Sequence, residues 1–444
     1  MALTGLEIYK LLPQTNCKEC GFPTCLAFAM KLAAKQAELK SCPYVTEESK
    51  AKLAAASTPP IRLVTIASDG RKVEAGNETV LFRHEKTFYH KPGLFVRVKD
   101  SDGAKAIEAK VSEADAYVVD YVGIKLGVDG FAVEAASDDA AKFAEAVGAV
   151  RAASKKPLIL IAENPGVMAE GAKAAASIKP LLHAAGEANW QPMAEIARSA
   201  KAPLAVKAPT LDALAQLVED VKKAGVEDLV LDPSADGYGE ALTAFTQIRR
   251  LALKKNFRAL GYPTIGFANE AVLAGQLIAK YAGFVVLDEF DPAAIYPLLV
   301  LRQNIFTDPQ KPIQVQPGLY EINSPNGEAP VMVTTNFSIT YFAVNNEVEG
   351  SGWPGWLLVA DAEGMSVLTA WAAGKFDADR IAKSVKSTGV ESRINHKRII
   401  IPGQVAVLSG ELEESLPGWE IMVGPKEAVD IPGYLKVMWG ERVA

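Results

Sequence analysis

The pattern of apolar and polar positions divides the chain into three parts. Residues 24–40 follow Pro23 and are rich in Ala, Leu, Lys and Glu, with no glycine or proline, which predicts a helix. From residue 61 to residue 318, short apolar runs alternate with amphipathic segments, which predicts alternating strands and helices. A shorter series of the same kind occupies residues 319–444.

Eight apolar runs in the middle part are candidate core strands. They are AYVVD, FAVEA, LILIA, LLHAA, LAVKA, DLVLD, TIGFA and FVVLDE. The earlier runs IRLVTIASDGRKVEAG and LFVRVKD are interpreted as antiparallel additions. Between the strands lie helices such as TLDALAQLVEDVKKAG, whose leucines and valines form one apolar stripe. About eight strand–helix units in roughly 250 residues are typical of a (β/α)8 barrel of the TIM type.

The last part has the pattern of a small doubly wound, flavodoxin-like α/β domain. Its alternating strands and helices follow the segment QPGLYEINSPNGEAP, which is interpreted as a linker because it is rich in proline and glycine. Its clearest helix is DADRIAKSVKSTG, with Asp377 near the start and Gly389 at the end. Ligands of such folds bind beyond the carboxyl ends of the strands.

Composition indicates an ordinary soluble chain. Of its 444 residues, 49% are hydrophobic and 23% are charged, and the net charge of −6 argues against a nucleic-acid surface. The sequence has neither a basic leader nor an apolar run near the ~18–20 residues that span a bilayer. We therefore expect a cytoplasmic protein with reduced thiols, and neither a membrane nor a nucleic acid as partner.

All four cysteines lie near the amino end, in the spacing Cys17-x2-Cys20-x4-Cys25-x16-Cys42. Cys25 falls in the first turn of the predicted helix, where free N–H groups favour negative charge. Disulfides, a structural zinc site and an iron–sulfur cluster are the competing interpretations. Disulfides are rare in the cytosol, and zinc sites usually present two CxxC pairs, whereas this chain has one. A four-thiolate [4Fe-4S] cluster therefore fits best.

The cysteines complete the predicted division into domains. An Ala/Ser/Thr-rich stretch ends at two consecutive prolines, which predicts a linker. The predicted parts are a cluster domain at 1–57, a linker at 58–60, the barrel at 61–318 and the α/β domain at 319–444.

Acidic or amide residues close several predicted barrel strands, at the face where such barrels carry their chemistry. They are Asp120, Glu134, Asn164, Asp232, Asn269 and Asp288. The alternative is that they serve as helix caps and turn formers. The histidines at positions 84, 90 and 183 are scattered singly, and a lone histidine is more often a surface or core residue than a ligand.

Two junctions in the last part are candidate ligand contacts. TAWAAGK at 369–375 and PGQVA at 402–406 are interpreted as strand-to-helix junctions whose backbone N–H groups could approach a large ligand. Close helix packing explains them equally well. Neither is a GxGxxG or Walker sequence, so nucleotide binding is not indicated.

The combination of these parts resembles a known family. The segment TNCKECGFPTCLAFA…SCP, with its C-x2-C-G-x3-C spacing, the barrel, and the TAWAAGKF and IPG turns are similar to the large (gamma) subunit of the corrinoid iron–sulfur protein of the acetyl-CoA decarbonylase/synthase system. The closing VDIPGYLK is also similar. The resemblance covers essentially the whole chain.

The resemblance implies two cofactors and a methyl-carrier function in the methyltransferase class. The four cysteines hold a [4Fe-4S] cluster, and the C-terminal domain binds cobalamin between itself and a small partner subunit. Co(I) accepts a methyl group from methyltetrahydrofolate through a methyltransferase, and the methyl group passes to acetyl-CoA synthase/CO dehydrogenase. The cluster reduces cobalt that has been oxidised to Co(II). The barrel resembles pterin-binding methyltransferase barrels and is taken as a scaffold and docking surface.

Corrinoid contacts are expected at strand ends and turns of the last domain, and no residue is assigned a catalytic role. The expected contacts are Thr340, Asn346, Thr369, Ala370, Trp371, Ala372, Ala373, Gly374, Gly403 and Gly433. Turn geometry is the alternative explanation for each.

The chain also lacks Asp-x-His-x-x-Gly, the motif with which many cobalamin carriers supply an axial imidazole. The histidine of the last domain is His396, and Ile394 stands where that aspartate would be. We therefore expect a base-off cobalt with no histidine ligand from this chain. Because Co(I) disfavours axial donors, such a cobalt is easier to reduce.

Two other classes of function stay open from the residues alone. One is an iron–sulfur electron-transfer subunit of an oxidoreductase, with a flavin or pterin in the barrel. The other is a protein with a purely structural zinc domain. A visible spectrum separates them, because corrinoids, flavins and iron–sulfur clusters absorb differently and zinc does not absorb.

Overall fold

The structure, a computed structural model, describes residues 5–33, 37, 39–50, 53, 59–121, 123–307 and 313–440. It divides the chain into two units. The barrel unit comprises Met1–Val119 and Leu126–Phe306, and the C-terminal unit comprises Asp120–Lys125 and Thr307–Ala444. The predicted boundary between residues 57 and 58 lies outside the described residues. Among the helices described, none is long and apolar enough to cross a membrane.

The described part of the amino-terminal segment contains the short helices α1 (Gly5–Leu11) and α2 (Cys25–Ala33), and residues 47–50 are also helical. The Thr24 hydroxyl accepts a hydrogen bond from the Ala27 N–H at 3.1 Å, so α2 begins where the sequence predicts. Of the predicted helix, residues 34–36 and 38 lie outside the described part, and Leu39–Ser41 form a 3-10 turn.

The strands between residues 64 and 287 run from β1 to β12, and all of them except β4 and β5, which lie mainly in the C-terminal unit, belong to the barrel unit. They are β1 (Val64–Ser68), β2 (Arg71–Ala75), β3 (Gly93–Lys99), β4 (Val119–Tyr121), β5 (Ile124–Leu126), β6 (Gly130–Glu134), β7 (Leu158–Ile161), β8 (Leu181–Ala185), β9 (Leu204–Lys207), β10 (Leu229–Asp232), β11 (Ile265–Ala268) and β12 (Phe284–Leu287). The helices between them are α3 (Ala104–Ala116), α4 (Ala140–Ala153), α5 (Pro165–Ala174), α6 (Trp190–Ala200), α7 (Leu211–Lys223), α8 (Tyr238–Lys255), α9 (Ala271–Ala279) and α10 (Pro292–Ile305).

Eight of these strands form a parallel barrel, as the sequence predicts. Their order is β10-β9-β8-β7-β6-β3-β12-β11, and a parallel bridge between Leu231 and Thr264 joins the two ends of the sheet. α7 buries Leu214, Val218 and Val221 on one stripe, which confirms the amphipathic pattern read from the sequence.

One predicted barrel strand is wrong. LFVRVKD forms β3, between β6 and β12, whereas AYVVD contributes β4 to a separate two-stranded sheet with β5. The reason is burial, since Leu94, Phe95 and Val96 are inaccessible on both faces of β3 while Val118 is 54% exposed. AYVVD is also followed by a turn and a strand instead of a helix.

Of the two predicted antiparallel additions, IRLVTIASDGRKVEAG is confirmed, because it forms the hairpin β1–β2, which covers the amino end of the barrel. β1 and β2 pair from Val64–Ala75 to Ser68–Arg71. Val64 and Ile66 pack against barrel residues such as Phe95, and Ala67 exchanges backbone hydrogen bonds with Lys179, just before β8. The carboxyl end of the barrel is the end left for ligands.

A mixed five-stranded sheet forms the C-terminal unit. Its strands are β13 (Gly318–Ile322), β14 (Val331–Thr335), β15 (Gly355–Ala360), β16 (Arg398–Ile401) and β17 (Glu420–Val423). The helices are α11 (Ser338–Ser351), α12 (Val367–Ala372), α13 (Ala378–Thr388), α14 (Ser409–Ser415) and α15 (Ile431–Met438).

The sheet order is β13-β15-β14-β16-β17, with β13 antiparallel and the rest parallel. This confirms the doubly wound fold, in which the chain reverses direction across the sheet at β14. The predicted linker QPGLYEINSPNGEAP is partly wrong, because its residues 318–322 form the edge strand β13. α13 begins at a capping Asp377 and ends at Gly389, as predicted.

Candidate functional site

The cysteine segment folds back on itself through hydrogen bonds. Asn16 Oδ1 accepts a hydrogen bond from the Cys25 N–H at 2.8 Å, and the Asn16 N–H donates to Cys25 Sγ at 3.4 Å. Lys18 and Gly21 have φ angles of 68° and 82°, and the Gly21 N–H donates to Lys18 O. These bonds return the loop to the start of α2, where the helix dipole favours a thiolate.

The four thiols differ in burial. Cys25 and Cys42 are each 6% exposed and pack in one apolar cluster with Phe28. Cys20 is half-buried beside that cluster, and Cys17 is exposed. One side of the segment is therefore dry and the other meets solvent.

The donor set fits an iron–sulfur cluster. Among the described residues, no three His, Cys, Asp or Glu side chains converge closely enough to hold a single metal ion. A four-iron cluster makes a different demand, because each iron takes one thiolate at a separate corner. Four thiols, a backbone N–H directed at one sulfur and a glycine in the loop supply what such a cluster needs.

Tyr44 ties the two ends of the segment together. Its hydroxyl donates to Glu19 Oε1 at 2.7 Å. That hydrogen bond and the charge of Glu19 raise the pKa of Tyr44. The first CxxC pair and the last cysteine are therefore neighbours in space.

We expect Asn16→Ala to speed iron loss about fivefold, because a side-chain cap of this kind contributes about 1 kcal/mol. The measurement is the rate of iron transfer to a chelator under anaerobic conditions. Asn16→Asp keeps the acceptor oxygen and should behave like the unaltered protein. Equal rates for Asn16→Ala and the unaltered protein would show that this bond does not hold the loop.

A second candidate site lies where the C-terminal sheet reverses direction. β15 and β16 flank β14 on opposite sides, and a cavity of about 350 Å³ opens beyond the carboxyl ends of β14 and β16. Its walls come from α11, the residues at the start of α12, the turn after β17, and α15.

This switch-point cavity is apolar at its rim and polar at its base. Ile339 is 70% exposed and Leu368 is 48% exposed, although both are apolar. Thr334, near the end of β14, lines the cavity and is fully buried, and its hydroxyl has no hydrogen-bond partner among the described residues. Such a lining suits a large ligand with an apolar body and a few polar groups.

The structure brings some of the expected corrinoid contacts to the cavity and places others elsewhere. Thr340, in the first turn of α11, lines it. Asn346 is exposed on α11 outside the lining residues. Gly403 allows two turns to meet, because a Cβ there would collide with the Gly424 carbonyl oxygen. Gly433 is exposed in α15 with no heavy atom near its Cβ position, so it is not a close-approach turn.

The interpretation of 369–375 as a strand-to-helix junction is wrong. Residues 361–366 leave β15, and Val367–Ala372 form α12. The residues of this stretch that line the cavity are Ser366, Val367 and Leu368, immediately before the predicted ones. Ala370 is fully buried in the core, while Thr369, Trp371, Ala372, Ala373 and Gly374 are exposed. Their contact with a ligand stays a prediction.

The apolar wall of this cavity was not predicted from the sequence. Ile339, Ala343 and Val344 face it from α11. The segment SITYFAV carries a signal for it. Its apolar residues lie on more than one face of the helix, whereas packing against one core requires only one apolar face.

His396 lies at the amino edge of the sheet, away from this cavity. Its Nε2 contacts Ala329 O at 3.0 Å, and its Nδ1 accepts from the Arg398 N–H at 3.2 Å. The ring packs edge-on against Trp439, and burial lowers the pKa of His396. Both ring nitrogens are occupied beside the start of β16, so this side chain cannot serve a ligand at the carboxyl ends.

A third cavity, of about 870 Å³, occupies the carboxyl mouth of the barrel. Five of the six strand-end residues line it: Glu134, Asn164, Asp232, Asn269 and Asp288. Asn164 also caps α5, so this residue both lines the cavity and serves as a helix cap. The sixth, Asp120, lies in β4 and pairs with Lys125 at 2.8 Å instead.

One ion pair and one close histidine–carboxylate contact that the sequence did not reveal connect these residues. Arg97 pairs with Asp288 at 2.6 Å, and His183 Nε2 lies 2.7 Å from Asp232 Oδ2. Burial works to lower the pKa of Lys207, but the hydrogen bond and charge of Glu163, with nearby aspartates, raise it. The mouth is therefore a region of negative potential.

Comparison with known proteins adds family matches. The family "CO dehydrogenase/acetyl-CoA synthase delta subunit" matches residues 63–435, and "Putative Fe-S cluster" matches residues 12–44. The chain is 45% identical to the "Corrinoid/iron-sulfur protein large subunit" of Moorella thermoacetica, over 98% of this chain and 99% of the relative. It is 36% identical to the "Acetyl-CoA decarbonylase/synthase complex subunit gamma" of Archaeoglobus fulgidus, over 98% of each.

A solved structure matches part of the chain. Dihydropteroate synthase from Xanthomonas albilineans is 14% identical, covers 55% of this chain and all of its own, and has a TM-score of 0.36. A score of that size carries no inference about ligands.

Proposed function

Because the chain belongs to the CO dehydrogenase/acetyl-CoA synthase delta subunit family and resembles corrinoid/iron–sulfur large subunits over nearly its whole length, we propose that it is a methyl-group carrier of the acetyl-CoA pathway. The family model covers the barrel and the C-terminal unit, whereas the full-length relatives are large or gamma subunits that include the cysteine segment. We therefore assign the chain as the large subunit.

The observation that supports the proposal is the presence, on one chain, of two features that suit these cofactors. One is the four-cysteine loop closed by Asn16, and the other is the apolar switch-point cavity. When bound, a corrinoid supplies a cobalt that can take up and release a methyl group, and an iron–sulfur cluster supplies single electrons.

The residues of the chain have distinct parts in this function. Cys17, Cys20, Cys25 and Cys42 would hold the cluster, with one thiol toward solvent for electron entry. Apolar side chains at the cavity rim would exclude water from the corrinoid, and the Thr334 hydroxyl would hydrogen-bond a polar group of it. No described lining residue of the cavity is a histidine, so the cobalt would have no imidazole from this chain.

The finer assignments belong to the same proposal. The chain would work in the methyltransferase class, receiving its methyl group from methyltetrahydrofolate through a methyltransferase and delivering it to acetyl-CoA synthase/CO dehydrogenase. A small partner subunit would cover the exposed apolar rim of the switch-point cavity, where Ile339 and Leu368 meet solvent. The names of the gamma-subunit relatives support assembly with other subunits.

Metal content and cobalt spectroscopy test the proposal together. The anaerobically purified full chain, assembled with its partner subunit, should contain about four irons and about one cobalt per chain. Its Co(II) EPR signal should show no nitrogen superhyperfine splitting, and His396→Gln should leave that signal unchanged. Iron without cobalt would contradict the carrier function, and strong nitrogen splitting would contradict the histidine-free site alone.

A further inference from the structure

A buried asparagine lies behind two walls of the switch-point cavity. Asn336 directly follows β14, precedes α11 and is 1% exposed. Thr334, two residues earlier, lines the cavity, whereas Asn336 lies outside the lining. Burying an amide costs the folded state free energy unless its hydrogen bonds are made, so the partners of Asn336 show which segments it holds in place.

The Asn336 side chain holds the turn that leaves β15. Its Oδ1 accepts hydrogen bonds from the Ala362 N–H at 2.9 Å and from the Gly364 N–H at 3.0 Å, and both bonds are buried. Its Nδ2 donates to Asp361 Oδ1 and to Gln314 Oε1, each at 3.3 Å. One amide therefore binds the turn from both sides of its carbonyl and amino ends.

This turn needs a support because its backbone is strained. Glu363 and Gly364 have φ angles of 56° and 74°, and residues with a side chain rarely adopt the left-handed conformation. The Glu363 carboxylate pairs with Lys375 at 2.6 Å, whereas Asn336 binds the backbone N–H groups on either side of Glu363. Without this acceptor both buried N–H groups would lose their partner, so the turn would relax toward water.

The wall of the cavity at α12 begins directly after this turn. Its lining residues are Ser366, Val367 and Leu368. The wall at α11 begins on the other side of the asparagine, because Ser338 starts that helix two residues after Asn336. A shift of the turn would therefore move the α12 wall relative to the α11 wall and change the width of the cavity.

We propose that Asn336 is a positioning residue of the switch-point cavity. It sets the distance between the α11 and α12 walls without touching the ligand, and the affinity for a corrinoid therefore depends on its amide. This inference rests on the proposed function, because it takes the cavity as the corrinoid site. It concerns a residue that lies behind the walls of that site.

The test is anaerobic equilibrium dialysis of cob(II)alamin against the full chain, assembled with its partner subunit and freed of bound corrinoid. Asn336→Ala should weaken binding about tenfold, because it leaves two buried N–H groups without an acceptor. Gly364→Ala acts on the same turn and leaves Asn336 intact, so it serves where Asn336→Ala fails to fold. A Cβ at Gly364 would lie 2.5 Å from the Gln314 side chain, so this variant should also weaken binding.

Exchanging the amide and the carboxylate tests the contact itself. Asn336→Asp alone sets a second carboxylate against Asp361 and should weaken binding about tenfold, because like charges at this distance repel each other. In the double variant Asn336→Asp/Asp361→Asn the two groups change places, and the Gln314 amide can turn to donate to the new carboxylate. Its affinity should return to within about twofold of that of the unaltered protein, because the pair is coupled.

Asn323→Ala is the matched control. Asn323 Nδ2 donates to the carbonyl oxygens of Val348, Glu349 and Trp353 at the far end of α11, outside the lining of the cavity. This variant should keep the affinity of the unaltered protein, and circular dichroism should show whether each variant has its secondary structure.

Three results would overturn the positioning role of Asn336. They are full affinity in folded Asn336→Ala, full affinity in Gly364→Ala, and no recovery in the double variant. Failure of the unaltered protein to bind cob(II)alamin is a different result, since it would contradict the corrinoid site itself and remove the positioning role with it.

Discussion

Replacing Cys25 with serine should lower the iron content of the purified protein more than about tenfold, since a serine hydroxyl does not ionise at neutral pH and is a poor ligand for iron. Cys25 is the thiol that the structure fixes most firmly, through Asn16 and the first turn of α2. The Cys25 N–H would still donate to Asn16 Oδ1 in this variant, so the loop should stay joined to the helix while the thiolate ligand is lost. Iron assay and the visible absorbance of the cluster measure the effect.

Lys10→Ala is the matched control, because Lys10 lies on α1 of the same segment and is not a thiol. It should keep its iron. Cobalt content should stay unchanged in both variants, since the switch-point cavity contains no residue of the cysteine segment. Full iron retention in Cys25→Ser would remove this residue from the cluster site.

Filling the switch-point cavity should prevent the corrinoid from binding. Ala343→Trp places an indole on the wall formed by α11, and we expect bound corrinoid to fall more than about tenfold because the ligand and the side chain compete for the same volume. Ala343 is exposed within the open cavity, so the fold should tolerate the change. Cobalt content per chain and the corrinoid absorbance are the measurements.

Gly350→Trp adds the same side chain further along α11, where no heavy atom lies within 4 Å of the Cβ position. It should retain the corrinoid. Ala372→Trp tests the corrinoid contact that the sequence predicts at residues 369–374, just beyond the lining residue Leu368, by the same measurement of cobalt content. If Ala343→Trp retains full cobalt, the corrinoid does not occupy this cavity.

Most of the fold could be predicted from the sequence, because buried parallel strands are short and apolar and are separated by amphipathic helices. The error at β3 shows the limit of that pattern. LFVRVKD carries charges at Arg97 and Lys99, so it looked like a half-exposed strand. In the barrel, however, the Arg97 side chain points into the polar mouth and pairs with Asp288.

The edge of each sheet that carries a site was predictable, but the side chains that face the site were not. Both Thr340 and Asn346 were expected near the end of the first strand, but Thr340 lines the cavity and Asn346 on the same helix does not. That difference depends on how α11 packs on the sheet. The pairing of His183 with Asp232 joins residues 49 positions apart, and no local pattern reveals such a contact.

The hairpin of β1 and β2 has one more consequence. Val64 and Ile66 pack among the inward-facing side chains and close the amino end of the barrel, so the barrel cavity opens at the carboxyl end. A small molecule in the cavity enters and leaves through this opening, so a macromolecule bound over the opening would retain it. Exchange of a small molecule between the cavity and solvent would then slow, with no residue that lines the cavity having moved.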